Sequence, residues 1–137
     1  MPCPFCPPPS RRIVGQNEIA LAILDQHPVS PGHTLIITRR HVASWFEASE
    51  AEQLAILALA SERRQALDRE LAPAGYNLGL NVGAAAGQTV MHLHVHLIPR
   101  FAGDVDDPTG GVRLVIPDRG NYRRPGFVPR SGGSGHG

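Results

Sequence analysis

Over His92-Leu93-His94-Val95-His96 histidine alternates with apolar side chains, inside a run from Thr89 to Ile98 that Pro99 closes. No other segment constrains the fold as tightly. In a β-strand residues i, i+2 and i+4 lie on one face. His92, His94 and His96 are therefore expected to stack along a single face, next neighbours roughly 7 Å apart. Leu93, Val95 and Leu97 point the other way, into a core. A slip of one residue would bury three imidazoles, so the alternation fixes the register.

The remaining segments supply partners for this strand. Ile13-Val14 and Ile19 to Leu24 read as short strands joined by a turn near Gln16-Asn17, and Thr34 to Thr38 as a mostly buried strand after the break at Pro28 and Pro31-Gly32. Ser49 stands three residues before Glu52, a capping-box pattern, and opens a helix that runs to about Leu71 and ends at Pro73 and Gly75. Leu54, Leu57, Leu67 and Leu71 are expected on its buried face, with Arg63, Arg64, Asp68 and Arg69 outside it. Tyr76 to Val82 alternates as a strand, and Val112 to Ile116 is the one strand expected beyond Phe101. The first ten residues carry Pro at 2, 4, 7, 8 and 9, which excludes a helix or a central strand. The fold class is α+β, an antiparallel sheet with one long helix. A chain of 137 residues fits one domain. The expected division is a domain over 1–125 and a flexible Gly/Ser-rich tail over 126–137.

Three aligned imidazoles suit two chemistries, metal binding and nucleophilic or acid–base catalysis. Just before them, Ala84-Ala85-Ala86-Gly87-Gln88-Thr89 brings backbone N–H groups, an amide and a hydroxyl to one place, the donors that an anionic phosphate requires. The bland alternative, a surface strand with accidental histidines, does not explain that neighbouring loop.

The segments Tyr76 to Gly83, Gly87 to Met91 and His92 to Arg100 together resemble the signature of the histidine-triad (HIT) superfamily. Pro31-Gly32-His33-Thr34-Leu35-Ile36-Ile37 resembles the family's second block. The resemblance implies a HIT-like fold of about five antiparallel strands with one long helix and a short one. It also implies cleavage at the α-phosphate of dinucleoside polyphosphates or nucleoside phosphoramidates. His94 would attack phosphorus, His96 would bond phosphate oxygen or assist proton transfer, and His33 would orient the triad. Gln88 would contact the scissile or leaving-group oxygen. Thr89, the Val90 N–H, Gly87 and Asn81 would line the phosphate side, and Asp25 would accept the ribose hydroxyls of a nucleotide, a purine being expected. For Asp25 a plain turn role before Pro28 stays open.

Cys3 and Cys6 are the only cysteines, a single CxxC. In a reducing compartment such a pair binds metal or does redox chemistry. The family resemblance completes a ligand set of Cys3, Cys6, His41 and His92 around a structural Zn2+, which would pin the proline-rich N-terminus. A net charge of +1 gives no reason to expect nucleic acid. The absence of a long apolar run and of a signal pattern points to a cytoplasmic protein that does not engage a membrane. By resemblance the chain is a homodimer through its long helix and neighbouring strand. A nucleotide-binding regulatory module that does not turn over is the alternative function, and a catalytic metal centre a third. The third is weakened because no carboxylate lies within 88–100. If the segment from Gly110 to Arg124 covers the pocket, Arg113 is placed to meet distal phosphates.

Overall fold

A computed structural model of the chain describes residues 2–130. They form two compact units that divide between Phe101 and Ala102. The first is built on a five-stranded antiparallel sheet in the order β1-β2-β3-β5-β4: β1 Ile13–Gln16, β2 Ala20–Leu24, β3 Thr34–Thr38, β4 Gly75–Gly79 and β5 His94–Arg100. One long helix, α1 (Glu50–Leu71), covers one face, and the shorter helical pieces in this unit are 3-10 turns at Ser10–Arg12, Trp45–Glu47 and Ala84–Ala86. The fold class is the expected α+β. No helix of the described residues is long and apolar enough to cross a membrane.

The sequences of β2, Ala-Leu-Ala-Ile-Leu, and β3, Thr-Leu-Ile-Ile-Thr, do not alternate because both faces of the sheet are covered. On one side Ala20, Ala22, Ile36, Leu93 and Val95 pack with Ile56, Leu59 and Ala60 of α1. On the other Leu21, Ile23, Leu35 and Ile37 pack with Phe5 from the N-terminal segment. The proline-rich segment therefore supplies core, even though it forms neither strand nor α-helix.

The helix begins as its sequence directs. Ser49 Oγ accepts from the Glu52 N–H and Glu52 Oε1 accepts from the Ser49 N–H, a complete capping box. Its buried row matches the expected one only at Leu67. Glu52, Ile56, Leu59, Ala60 and Leu67 face the sheet, while Leu54, Leu57 and Leu71 are exposed. Apolar residues run nearly round the helix, so their spacing selects no face. The anchoring of buried Glu52 by Arg40, at 2.7 and 2.9 Å, accompanies the face that is used. Arg63, expected outside, lies over β1 and donates to the Val14 carbonyl.

Two strands differ in extent from expectation. β5 starts at His94, because the Leu93 N–H leaves the ladder to donate to the Val42 carbonyl at 2.7 Å. It continues through Pro99, which pairs with Tyr76 of the edge strand β4 at a level where β3 has already ended. β4 stops at Gly79 rather than Val82. In the second unit, Val112 to Ile116 is not a strand. Gly110 and Gly111, at φ 100° and 51°, turn the chain into a 3-10 stretch over Gly111–Val115, and a Cβ on Gly110 would stand 2.4 Å from the Gly120 carbonyl oxygen. A second 3-10 turn follows at Pro117–Arg119. Arg113 is engaged inside this unit, donating to the Gly120 carbonyl and lying over the Tyr122 ring. Of the expected tail, 131–137 lie outside the described residues, and the Val128 carbonyl accepts from Arg119.

Candidate functional site

The register Leu35↔His96 and Ile37↔His94 sets the two histidines of β5 on the face that carries Leu35 and Ile37. His92 lies before the strand, fully buried. The hydrogen bonds then assign a tautomer to each ring. His92 Nε2 is 2.7 Å from the Thr38 carbonyl, so it carries the proton, and the bare Nδ1 points at the cysteines. His94 Nδ1 is 2.7 Å from the His92 carbonyl, so it too is the protonated nitrogen, and Nε2 holds the free lone pair.

His33, immediately before β3, completes the set. Gly32, at φ 82°, turns the chain beside α1 where a Cβ would stand 2.8 Å from Leu67 and Leu71, and the next residue is the buried His33. The Val29 N–H donates to His33 Nδ1 at 3.2 Å, so His33 Nε2–H is a donor and meets His96 Nδ1 at 2.9 Å. That leaves His96 with a proton on Nε2. Asp25 Oδ2 is 3.4 Å from His33 Nε2, and Asp25 Oδ1 accepts from the His27 N–H, so Asp25 makes both a turn contact and a site contact. These three side chains cluster closely enough to suggest a second metal site, but the polarity of the network opposes it, since His33 Nε2 has no lone pair to give. Burial first, then the neighbouring His94 and His33, lowers the His96 pKa to about 4. Burial also lowers that of His33, against the pull of Asp25. Both rings are neutral near pH 7, as the tautomers require.

A cavity of about 530 Å³ opens over this face. His94, His96, Asn81, Gly87, Thr89 and Val90 line it, together with Phe5, Arg12, Asp25, Val29, His33 and Leu35. The loop before β5 is shaped by Gly83 and Gly87, at φ 90° and 98°, flanking the turn Ala84–Ala86. Gln88 is buried and its amide is fully engaged with backbone: Nε2 donates to the Ala43 and Val90 carbonyls, and Oε1 accepts from the Gly83 N–H. The amide-bearing residues that line the cavity are Asn81 and Gln26. Arg12, which sequence reasoning missed, lines it too, and nothing in its local sequence marks it.

Cys3, Cys6, His41 and His92, predicted together, converge, with ligand atoms all within 4.8 Å of one another. Cys3 Sγ and Cys6 Sγ are 3.4 and 3.3 Å from His92 Nδ1, and Cys6 Sγ is 3.3 Å from His41 Nδ1. Bonds of about 2.3 Å to sulfur and 2.0–2.1 Å to nitrogen at tetrahedral angles would separate such donors by about 3.5 Å. The donor set therefore fits a tetrahedral Zn2+, and the Thr38 carbonyl supplies the outer hydrogen bond that usually orients a ligating imidazole. Phe5, between the two cysteines, packs edge-on against both His92 and His94, with ring centroids 5.7 and 5.4 Å away.

The HIT domain family model matches residues 9–103. A 16.1 kDa HIT-like protein of Mycoplasma pneumoniae is 42% identical over 88 residues, which cover 64% of this chain and 61% of that protein. An AP-4-A phosphorylase of Mycobacterium tuberculosis is 30% identical over 106 residues, covering 75% of this chain and 54% of the relative. The chain thus spans less than two thirds of the length of either. Among solved structures, a HIT family member from Bacillus subtilis aligns with a TM-score of 0.69 at 33% identity, covering 76% of this chain and 77% of that one.

Proposed function

Because this chain belongs to the HIT domain family, we propose that it splits the α-phosphate linkage of dinucleoside polyphosphates or nucleoside phosphoramidates through a nucleotidyl-His94 intermediate. The observation that carries this reading is the 2.7 Å bond from His94 Nδ1–H to the His92 carbonyl, which leaves the Nε2 lone pair free. In the first step Nε2 forms a bond to phosphorus and the bond to the leaving group breaks. His96 Nε2–H is placed to donate a hydrogen bond to the departing oxygen or nitrogen, and His33 holds His96 in the tautomer that can do so; a phosphate leaves as its anion, and a leaving amine takes its proton from solvent. In the second step water attacks phosphorus, the P–N bond to His94 breaks, His94 leaves as the neutral imidazole, and the proton lost by water passes to solvent. One difficult displacement becomes two easier ones. Thr89, the Val90 N–H, Gly87 and Asn81 meet the phosphate oxygens, and Asp25 the ribose hydroxyls. Gln88, its amide held by backbone, keeps that loop in shape. The AP-4-A phosphorylase relative supports this substrate class.

Zn2+ on Cys3, Cys6, His41 and His92 would supply a fixed cross-link and no reactive ligand position, since four protein donors fill the tetrahedron. A homodimer would cover Leu54 and Leu57 of α1 and Leu78 of β4, which are 59%, 48% and 48% exposed.

The test is release of nucleoside monophosphate from a diadenosine polyphosphate and an adenosine phosphoramidate by wild type and His94→Ala. The wild type is expected to turn over at least one and to form an acid-labile nucleotidyl adduct. His94→Ala should lose both, by roughly three orders of magnitude or more in kcat/KM. A fully active His94→Ala variant would refute the covalent route.

A further inference from the structure

We propose that Arg12 is the residue that selects the base, reading the O6 and N7 edge of guanine, so that guanosine 5′-phosphoryl compounds are the preferred substrates. The inference rests on the proposed chemistry at His94 and adds what that chemistry leaves open, the identity of the nucleoside.

Arg12 stands just before β1, whose first residue, Ile13, pairs with Ile23 of β2. β2 is separated from β5 by β3 alone, so crossing from β5 to β2 covers about 10 Å at the usual strand spacing. Along that line the cavity wall passes from His94 and His96, through Leu35, to Asp25 and Arg12. A nucleotide with its α-phosphate at His94 and its ribose at Asp25 carries its base toward Arg12, past the apolar walls of Phe5 and Val29.

The guanidinium is fixed and half used. Its Nε and Nη2 both donate to the Leu24 carbonyl, at 3.0 and 2.9 Å. This leaves the end-on edge of the same plane, formed by Nη1 and the second proton of Nη2, without an acceptor among the described residues. No carboxylate of the described residues forms an ion pair with it. Arg12 is half-buried, and it is the only Lys or Arg in the cavity wall. A planar two-donor edge, held in place by a backbone carbonyl, complements two adjacent acceptors in one plane. Guanine presents such a pair at O6 and N7, whereas adenine sets an amino donor beside N7. A merely structural role, closing the end of β2, would use the Leu24 side of the guanidinium and leave substrate choice unchanged.

The experiment measures kcat/KM for the 5′-phosphoramidates of guanosine, inosine, 7-deazaguanosine and adenosine, together with dissociation constants for GMP and AMP. Wild type is expected to favour guanosine and inosine over adenosine by about 5- to 150-fold, with 7-deazaguanosine in between. Arg12→Met should bring the guanosine-to-adenosine ratio close to one, through KM with kcat little changed. Arg12→Lys, a point charge without the fork, should recover only part of it. The wild-type series needs no variant, so it decides the matter even where Arg12→Met loosens the fold. Equal treatment of guanosine and adenosine by wild type overturns the proposal, as does full selectivity in Arg12→Met. Equal loss on every base in Arg12→Met, rescued by lysine, also overturns it and marks Arg12 as a phosphate contact. Absence of turnover on all four substrates would instead sink the chemistry proposed for His94. The ratio of GMP to AMP dissociation constants would then decide Arg12, a ratio near one overturning its role.

Discussion

Replacing Glu52 by glutamine tests whether one buried carboxylate ties the start of α1 to the exit of β3. The side chain is 7% exposed and accepts three hydrogen bonds: from Arg40 Nε at 2.9 Å, from Arg40 Nη2 at 2.7 Å and from the Ser49 N–H at 2.9 Å. Glutamine preserves volume and can still accept from Ser49, so the loss is confined to the Arg40 pair. A charge-assisted bond contributes about 1.5–3 kcal/mol, but the Arg40 side chain is 59% exposed, and water recovers much of what it loses. We therefore expect Glu52→Gln to lower unfolding stability by about 2 kcal/mol at pH 7, read from urea denaturation. The pH dependence sharpens the test. Hydrogen bonding by Arg40 is the main cause that brings the Glu52 pKa down to about 2. Between that value and the ordinary carboxylate range the unfolded chain binds the proton and the native one does not. The wild-type advantage is thus complete above the unfolded pKa and disappears as pH falls through the native one. A difference below about 0.5 kcal/mol at pH 7, or one that does not shrink on acidification, would refute the reasoning.

Two further outcomes follow from the site. His96, with its pKa lowered to about 4, stays neutral in the native state while the unfolded chain protonates near 6.5. Stability should therefore fall as pH drops from about 6.5 toward 4, by roughly 1–2 kcal/mol after allowing for partial exposure, and His96→Asn should remove that part of the slope in denaturation at stepped pH. Cys6→Ser should abolish stoichiometric zinc in metal analysis and open residues 2–12 to protease while α1 stays folded; retained zinc would argue against the four-ligand set.

What could be read in the sequence was what depends on near neighbours. The capping box needs only Ser49 and Glu52, and the alternation of Leu93, Val95 and Leu97 with histidines needs only the pleat. The buried face of α1 was illegible because Leu54 and Leu57 are as apolar as Ile56 and Leu59, and only packing separates them. The family resemblance places both Asn81 and Gln88 against the phosphate. That Gln88 spends its amide on Ala43, Val90 and Gly83 while Asn81 lines the cavity depends on how residue 43 approaches from another part of the chain. His33 and His96 lie 2.9 Å apart across 63 residues of sequence. Family resemblance joined them, whereas no periodicity could. Arg12 carries no local signal, for its importance comes from the register of Ile13 on Ile23 and the carbonyl that follows. The strand expected over Val112 to Ile116 failed because β-branched residues favour extension only where a sheet edge receives them, and two left-handed glycines precede this run.

His92 links the site of four soft and nitrogen donors to the centre proposed for His94. Its side chain belongs to the cysteine cluster through Nδ1, and its main-chain carbonyl receives the His94 proton. One residue thus has its ring held from one side by Thr38 and from the other by Cys3 and Cys6, while its backbone dictates which nitrogen of His94 is free. Phe5 adds a second link, since it is carried between the two cysteines and contacts both rings. A shift of residue 92 that stretched the 2.7 Å bond would release His94 to the other tautomer, with the lone pair on Nδ1 facing a carbonyl and the proton on the nitrogen proposed to attack. The alternation of histidine and apolar residues therefore encodes more than a face of imidazoles: the first histidine is buried and bonded at both ring nitrogens, and its carbonyl leaves the second with Nε2 free.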